Sequence, residues 1–331
     1  MEIEDLDGVG PATVKKLREL GYHTVEKLAT TTMRRLEEDG FAGKNAQKIL
    51  QGARKAVFAG DDFATAFDLM QRRNDIHRLT SGVRAIDELM GGGLEPKTIN
   101  EFCGEYRVGK SVLCHQFCVT VQLPFDKGGL NGGALYLDTE QTFRPEWVKW
   151  MAPRFGLAAE ETLKNITIPE QPITNTDQQL LALRRADSII KEKNIRLIVV
   201  DSVTAHFRSE YEGREELAPR QQTLNNHLSQ LAKWTEVFNL VAVVTNQVMA
   251  NPSPFGGFLP VQIGGHILKH ASHVIFFIRP VSGSPSHRII TLDTSLINPP
   301  GERHFKITGQ GVEDVPEEEL KKKKKIEDVE E

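Results

Sequence analysis

An eight-residue segment that begins at Gly104 has the composition and spacing of a phosphate-binding loop. It reads Gly104-Glu105-Tyr106-Arg107-Val108-Gly109-Lys110-Ser111 and fits the pattern G-x-x-x-x-G-K-[ST] at every fixed position. In such a loop the backbone amides face the β- and γ-phosphates of a nucleotide, the lysine adds a positive charge, and the serine hydroxyl ligates Mg²⁺. We therefore expect these residues, together with Val112, to bind a nucleoside triphosphate.

The flanks of this segment favour a P-loop over a chance match in a glycine-rich turn. Residues 98–103 have the length and β-branched character of a short buried strand, and residues 112–123 can form a helix. A strand before the loop and a helix after it are the structural context that a P-loop requires.

Three polar residues follow hydrophobic runs that we predict as further strands. Asp201, Glu140 and Gln247 come after runs that are rich in Leu, Ile and Val, at residues 196–200, 134–138 and 240–246. Because parallel strands end at a common edge, these side chains are expected to meet there. Asp201 would hold the metal through water, Glu140 would polarise the attacking water as general base, and Gln247 would sense the γ-phosphate. Taken singly, each of them could instead be an ordinary cap or turn residue.

Composition places further limits on the function. The chain has 331 residues, of which 39% are hydrophobic, and a net charge of −4, so a uniformly basic DNA-binding surface is excluded and any DNA binding must be local. The acidic N-terminus is unlike a signal peptide and no apolar run reaches membrane-spanning length, so we expect a cytoplasmic protein without membrane contact. Cys103, Cys114 and Cys118 are expected to be buried, reduced thiols rather than metal ligands.

The chain divides into four predicted regions. Residues 1–60 form a small all-α domain, residues 61–78 a polar linker, and residues 79–316 an α/β core. Residues 317–331 form a charged tail that we expect to be disordered, because its lysine run is flanked by acidic residues.

The N-terminal region contains a glycine pattern before its first helix. Gly8-Val9-Gly10 resembles the hairpin of helix-hairpin-helix modules, in which loop amides grip a DNA phosphate without reading sequence. Lys15, Lys16 and Arg18 follow close by. A partial second copy at residues 40–46 lacks the tight glycine spacing. For either copy the alternative is a plain turn.

Six motifs in a fixed order make the chain similar to the archaeal RadA recombinases of the RecA/RadA strand-exchange family. Besides the P-loop they are Leu79-Thr80-Ser81-Gly82 with Gly91-Gly92-Gly93-Leu94, Asp138-Thr139-Glu140 with Thr142-Phe143-Arg144-Pro145-Glu146, Tyr211-Glu212-Gly213-Arg214, Thr245-Asn246-Gln247-Val248, and Ile263-Gly264-Gly265-His266. The resemblance implies a RecA-type P-loop ATPase core with a mostly parallel sheet, preceded by a small helix-hairpin-helix domain. It also implies a DNA-dependent ATPase that forms filaments on single-stranded DNA, pairs that DNA with duplex DNA and exchanges strands. ATP and Mg²⁺ are the implied cofactors, K⁺ is a further candidate, and association with the nucleoid is the implied location.

The resemblance also assigns DNA contacts. The first segment, residues 208–220, offers Arg208, Arg214 and Arg220 to phosphates. The second, residues 249–262, holds no Lys or Arg, so Phe255 and Phe258 would contact bases, with Gly264 and Gly265 beside them. A mobile surface loop is the alternative for this second segment. His266 and His270 would link the nucleotide to this segment.

A short motif in the linker resembles the family's oligomerisation motif. Phe63 and Ala66 have the F-x-x-A spacing in which an aromatic side chain enters a pocket on the neighbouring protomer. A head-to-tail contact of this kind builds a helical filament or a ring, and the same pocket could receive mediator proteins. Ordinary helix packing is the alternative explanation of so short a motif.

Several positions depart from the family pattern. Trp147 stands where an arginine usually stacks on adenine, so we expect its indole to cover the base, and Gln141 stands where glycine usually follows the catalytic glutamate. Residues 168–173 replace the small residues that line the pocket for Phe63, and residues 293–300, which resemble the cap over a neighbour's ATP, have an altered proline pattern.

Two other functions remain open from sequence. A RecA-fold accessory paralogue would bind DNA and modulate another recombinase, but such paralogues tend to lack the N-terminal domain, the Phe63 motif or the equivalent of Glu140. A hexameric helicase is a weaker alternative, because no motor-specific region is present.

Overall fold

The computed structural model describes residues 1–7, 9–58, 63–211, 213, 215–252 and 258–319, with only the backbone described for 249–252 and 258–262. Among these residues, no helix has both the length and the apolar character that crossing a membrane demands.

The N-terminal domain is a bundle of short helices. They are α1 (Pro11–Glu19), α2 (Val25–Thr30), α3 (Met33–Glu38) and α4 (Gly43–Val57). Thr24 and Thr32 cap α2 and α3, since each side-chain oxygen accepts a hydrogen bond from a backbone N–H in the first turn. Apolar residues at helical spacing, such as Leu17, Leu28 and Ile49, are fully buried and form a core separate from that of the rest of the chain.

The predicted linker contains a helix, α5 (Ala66–Asn74). Thr65 and Asp68 form a reciprocal capping box at its start, which satisfies two backbone donors. No residue of α5 is buried. The segment is therefore helical rather than a plain linker, although it packs little of its surface on the rest of the protein.

The α/β core comprises the remaining elements. Its helices are α6 (Arg84–Leu89), α7 (Lys110–Thr120), α8 (Pro145–Met151), α9 (Ala159–Lys164), α10 (Thr176–Arg184), α11 (Ala186–Glu192), α12 (Ala205–Glu210), α13 (Leu217–Phe238) and α14 (Gly265–Ala271). Its strands are β1 (Ile99–Gly104), β2 (Gly133–Asp138), β3 (Ile166–Thr167), β4 (Ile195–Asp201), β5 (Val241–Asn246), β6 (Val248–Pro252), β7 (Phe258–Gln262), β8 (Val274–Val281), β9 (Ser284–Thr294), β10 (Gly301–Thr308) and β11 (Gly311–Asp314).

The main sheet, as far as the structure describes it, has nine strands in the order β11-β10-β9-β8-β1-β5-β4-β2-β3. The strands from β8 to β3 pair in parallel, and β9, β10 and β11 extend the β8 side in antiparallel fashion. The predicted α/β fold with a mostly parallel sheet is therefore confirmed.

Both faces of the central strands are covered. Successive residues of β4 alternate between two hydrophobic clusters, with Val199 in one and Val200 in the other. Helix α7 covers the first face and α13 the second, since Phe117 and Leu228 belong to these clusters. Burial on both sides explains why the strands read as nearly continuous Leu, Ile and Val.

Candidate functional site

The carboxyl ends of four parallel strands meet at one edge of the sheet. The register aligns Phe102 with Thr245, Val200 with Val244, and Asp138 with Asp201. The P-loop after β1, Asp201 at the end of β4, Glu140 after β2 and Gln247 after β5 therefore lie at a common edge, as the sequence predicted.

The P-loop connects β1 directly to α7. Gly109 caps the helix with φ of 103°, where a Cβ would overlap the Ile307 side chain. A Cβ on Gly104 would lie 2.6 Å from the carbonyl oxygen of Ile278. Both glycines are thus required by the close approach of the backbone. The strand and helix begin and end within three residues of the predicted bounds.

Lys110 lies across the loop that precedes it. Its Nζ donates to the carbonyl oxygens of Gly104 and Glu105 at 2.9 and 2.8 Å. Burial lowers the pKa of Lys110, and the nearby carboxylates of Asp201 and Glu140 oppose that shift. The ammonium is therefore close to both predicted acidic residues and to the carbonyl groups of the loop.

Asp201 is almost completely buried, with 2% of its surface exposed. Its Oδ2 accepts a hydrogen bond of 2.6 Å from the Tyr136 hydroxyl, and its Oδ1 accepts one from the Thr245 hydroxyl. These donors orient the carboxylate. Ser111 and Asp201 supply the oxygen donors that Mg²⁺ prefers, so the residues present fit that ion. Thr245 belongs to one of the motifs of the family resemblance, but no role was predicted from sequence for it or for Tyr136.

Glu140 and Gln247 are in contact, and the contact extends to Arg208. Gln247 donates through Nε2 to Glu140 Oε1 at 3.4 Å, and its Oε1 accepts from Arg208 Nη1 at 2.8 Å. Burial and the neighbouring carboxylate of Asp201 raise the pKa of Glu140. A raised pKa makes this carboxylate a stronger base toward water.

His115 joins the P-loop helix to the loop that carries Glu140. Its Nε2 accepts from the backbone N–H of Arg144 at 3.0 Å, so Nδ1 carries the proton and donates to the Ser111 carbonyl at 2.5 Å. The ring stacks on Phe143 at 4.6 Å between centroids. Burial lowers the pKa of His115, so the imidazole is neutral at pH 7. This residue, too, was missed from sequence.

A buried glutamate lies within β1, the strand that precedes the P-loop. Glu101 is fully buried and accepts hydrogen bonds from Asn246 Nδ2 and Ser272 Oγ, both at 2.9 Å. Asn246 Nδ2 also donates to the Ile263 carbonyl at 2.6 Å. The network connects β1 to the base of the β6–β7 hairpin and to the end of α14. Burial raises the pKa of Glu101.

Trp147 lies on α8, partly buried against the core. Its ring meets that of Trp150 edge to face at 5.5 Å. A role in covering adenine stays a prediction.

The predicted DNA-binding residues are distributed over several elements. Arg208 is exposed on α12, and Arg220 is partly buried on α13, so both ends of segment 208–220 are helical. Phe258 begins β7 of the hairpin, while Gly264 and Gly265 have positive φ at the start of α14. Arg214 and Phe255 lie outside the described residues. His266 and His270 are exposed, with ring centroids 6.2 Å apart.

The two residues of the predicted oligomerisation motif are accessible. Phe63 is 92% exposed, and Ala66, the first residue of α5, is exposed as well. In the segment predicted to line the receiving pocket, Ile168 is exposed and Ile173 is buried.

Two of the three cations near the first hairpin have partners within the domain. Lys16 donates to the Gly40 carbonyl at 2.6 Å, and Arg18 pairs with Glu4 at 2.5 Å. Lys15 makes no ion pair with the described residues and is the cation best placed to meet a phosphate there.

Comparison with known proteins agrees with this architecture. The Rad51 family model matches residues 72–315, and a model of the SAM-like helix-hairpin-helix tandem matches residues 1–55. The chain is 45% identical over 314 residues to a DNA repair and recombination protein RadA of Aeropyrum pernix, covering 95% of this chain and 97% of the relative. It is 43% identical over 317 residues to the protein of that name from Metallosphaera sedula, covering 95% and 96%. The Rad51 family model matches most of the chain, and both relatives match 95% of it. The chain therefore belongs to the Rad51 family.

Proposed function

We propose that the protein is an ATP-dependent DNA recombinase, which forms filaments on single-stranded DNA and catalyses homologous pairing and strand exchange in recombinational repair. One observation carries the proposal: the P-loop, Asp201, Glu140 and Gln247 meet at one sheet edge in a chain related to RadA proteins over almost its full length.

The nucleotide-binding role rests on Lys110 and the loop amides. They would hold the β- and γ-phosphates, while Ser111 and Asp201 would hold Mg²⁺. Mg²⁺ held there would supply positive charge against the negative charge that develops on the phosphate during hydrolysis. Tyr136 and Thr245 keep the Asp201 carboxylate in one orientation, because each donates a hydrogen bond to a different oxygen.

The hydrolytic role rests on Glu140. Its raised pKa suits a general base that takes a proton from water, and the Gln247 amide holds it in place. Since Arg208 donates to that same amide, a DNA phosphate that attracts Arg208 would free Gln247 to follow the γ-phosphate. This exchange of partners would make hydrolysis depend on DNA.

Assembly and DNA binding would use other elements of the chain. Phe63 would enter a neighbour's core, and the β6–β7 hairpin with Arg208 and Arg220 would face single-stranded DNA in the resulting filament. The Phe63 pocket could also receive mediator proteins. Trp147 would cover adenine through its indole face.

The experiment compares two site variants in nucleotide binding and ATP hydrolysis, with and without single-stranded DNA. Lys110→Ala should abolish stable ATP binding, because the cation at the phosphates is lost. Glu140→Gln should bind ATP like the wild type and lose at least 100-fold in hydrolysis, on the order expected for removing a general base. Glu160→Gln, an exposed change of the same kind on α9, is the control and should change neither quantity. Equal ATP affinity in the wild type and Lys110→Ala would refute the P-loop role.

A further inference from the structure

A large groove lies between the N-terminal domain and the ATPase core, remote from the sheet edge described above. Its volume is about 1040 Å³. The N-terminal wall is formed by the end of α1, by α2 and by the start of α3, and the core wall by α10, α11 and α13. We call this cavity the interdomain groove.

The two walls of the interdomain groove are fixed to each other. Asp187 is completely buried, and its Oδ2 and Oδ1 accept from Thr24 Oγ1 at 3.0 Å and from Lys27 Nζ at 3.1 Å. Lys27 Nζ also donates to the carbonyl oxygen of Arg184 at 2.8 Å. The groove therefore has a defined shape rather than being a gap between unconnected domains.

The charge in the groove is strongly positive. Six of the lining residues are cations and one, Glu19, is a carboxylate; the cations are Arg18, Lys27, Arg35, Arg184, Arg185 and Lys233. The three from the N-terminal domain pair with Glu4, Asp187 and Asp39. The three from the core are exposed and make no ion pair with any described residue. A protein of net charge −4 thus concentrates unpaired positive charge here.

The lining favours a phosphate backbone over other anions. Its tyrosine and tryptophan, Tyr22 and Trp234, are buried, so no large aromatic ring is available to stack on an unpaired base or to anchor a peptide. Arg18 also lines a second cavity together with Val9 and Lys15, beside the first hairpin. Phosphates held at the hairpin would therefore continue toward the groove.

We infer that the interdomain groove binds the phosphate backbone of double-stranded DNA through Arg184, Arg185 and Lys233. Duplex held there by the hairpin domain and the core together lies away from the sites proposed for single-stranded DNA. The inference rests on the proposed DNA-handling function and extends it to a second place on the molecule.

The test is duplex binding without nucleotide, measured by the fluorescence anisotropy of a labelled 30-base-pair DNA between 50 and 200 mM salt. The variant Arg184→Gln/Arg185→Gln/Lys233→Gln should bind more weakly at every salt concentration. The slope of log affinity against log salt should fall by about 3, since each neutralised phosphate contact contributes about 0.9. The control is Arg84→Gln/Lys164→Gln/Arg303→Gln, which removes the same charge from exposed positions outside the groove and should bind duplex like the wild type.

Two results would overturn the inference. They are an unchanged salt slope in the groove variant and an equal loss of slope for a single strand of the same length. If the slope is unchanged and polyglutamate binds the wild type but not the groove variant, the groove belongs to an acidic protein segment. ATP hydrolysis stimulated by single-stranded DNA, measured separately, should be unchanged in the groove variant. If single-stranded DNA does not stimulate ATP hydrolysis in the wild type, that result counts against the proposed function. The anisotropy measurement can still be interpreted in that case.

Discussion

Asp201 shows how neighbouring side chains for which no role was predicted complete a predicted residue. The carboxylate was expected from its position after a hydrophobic run, but its orientation comes from Tyr136 on β2 and Thr245 on β5. Burial in a site of low polarity strengthens these bonds and makes their loss costly. We therefore expect the two donors to affect metal affinity although neither touches the metal.

Tyr136→Phe tests this expectation with the loss of one hydroxyl. The Mg²⁺ concentration that half-saturates binding of a fluorescent ATP analogue should rise by about 10-fold or more, the range seen when partners of a metal ligand are removed. Tyr22→Phe is a matched control, because its hydroxyl also donates to an aspartate, Asp39, at 2.6 Å but lies in the N-terminal domain. An unchanged Mg²⁺ requirement in Tyr136→Phe would show that Asp201 does not depend on this bond.

Residue-level prediction succeeded where a motif fixes both type and position. The P-loop, Asp201, Glu140 and Gln247 were placed at one edge from sequence, and the structure brings them there. Tyr136 could not be identified, because its position in β2 looks like any core position, and its contact with Asp201 depends on the register between β2 and β4. His115 could not be identified from sequence either, because both of its hydrogen-bond partners are backbone groups, which no residue type indicates.

Among the secondary-structure elements that the sequence did not predict, α5 is the one that lies in the predicted polar linker. Ala66, Leu69 and Met70 have the i, i+3, i+4 spacing of a helix, although none of them is buried. The local signal was the capping pair Thr65 and Asp68, three residues apart. Helix α5 begins three residues after Phe63, so the exposed aromatic ring lies just before the first turn of this helix.

Phe63→Glu tests the role of this element in assembly. A charge in an apolar pocket of a neighbour would cost several kcal/mol, so the variant should run as a monomer or small species in light scattering and form no filaments on DNA. Phe58→Glu adds the same charge at another exposed aromatic side chain, at the end of α4, and should assemble like the wild type. High-order assembly of Phe63→Glu would place the interface elsewhere.

The segment 208–220 shows a second limit of predicting secondary-structure elements from sequence. Helix α12 ends at Glu210 and α13 begins at Leu217, so the connection between them is shorter than the predicted loop. Arginine, glutamate and leucine are good helix formers, and both helices extend into the predicted loop.

At the scale of the whole molecule, the relation between the domains was not predictable from sequence. Asp187 looks like a surface residue of a helix, yet it is fully buried by Thr24 and Lys27 of the N-terminal domain. Such a contact joins residues more than 150 positions apart, and no local pattern indicates it. The fold of each part followed from periodicity and motifs, but the groove between them followed only from the structure.

Strand exchange is the measurement that tests the central claim most directly. A duplex that carries a fluorophore and a quencher on opposite strands is mixed with a homologous single strand, the protein, ATP and Mg²⁺. The account predicts a rise in fluorescence as the quencher strand is displaced, no rise with a non-homologous strand, and none with Lys110→Ala. Filaments that hydrolyse ATP without displacing any strand would contradict it, because that behaviour belongs to an accessory paralogue rather than a recombinase.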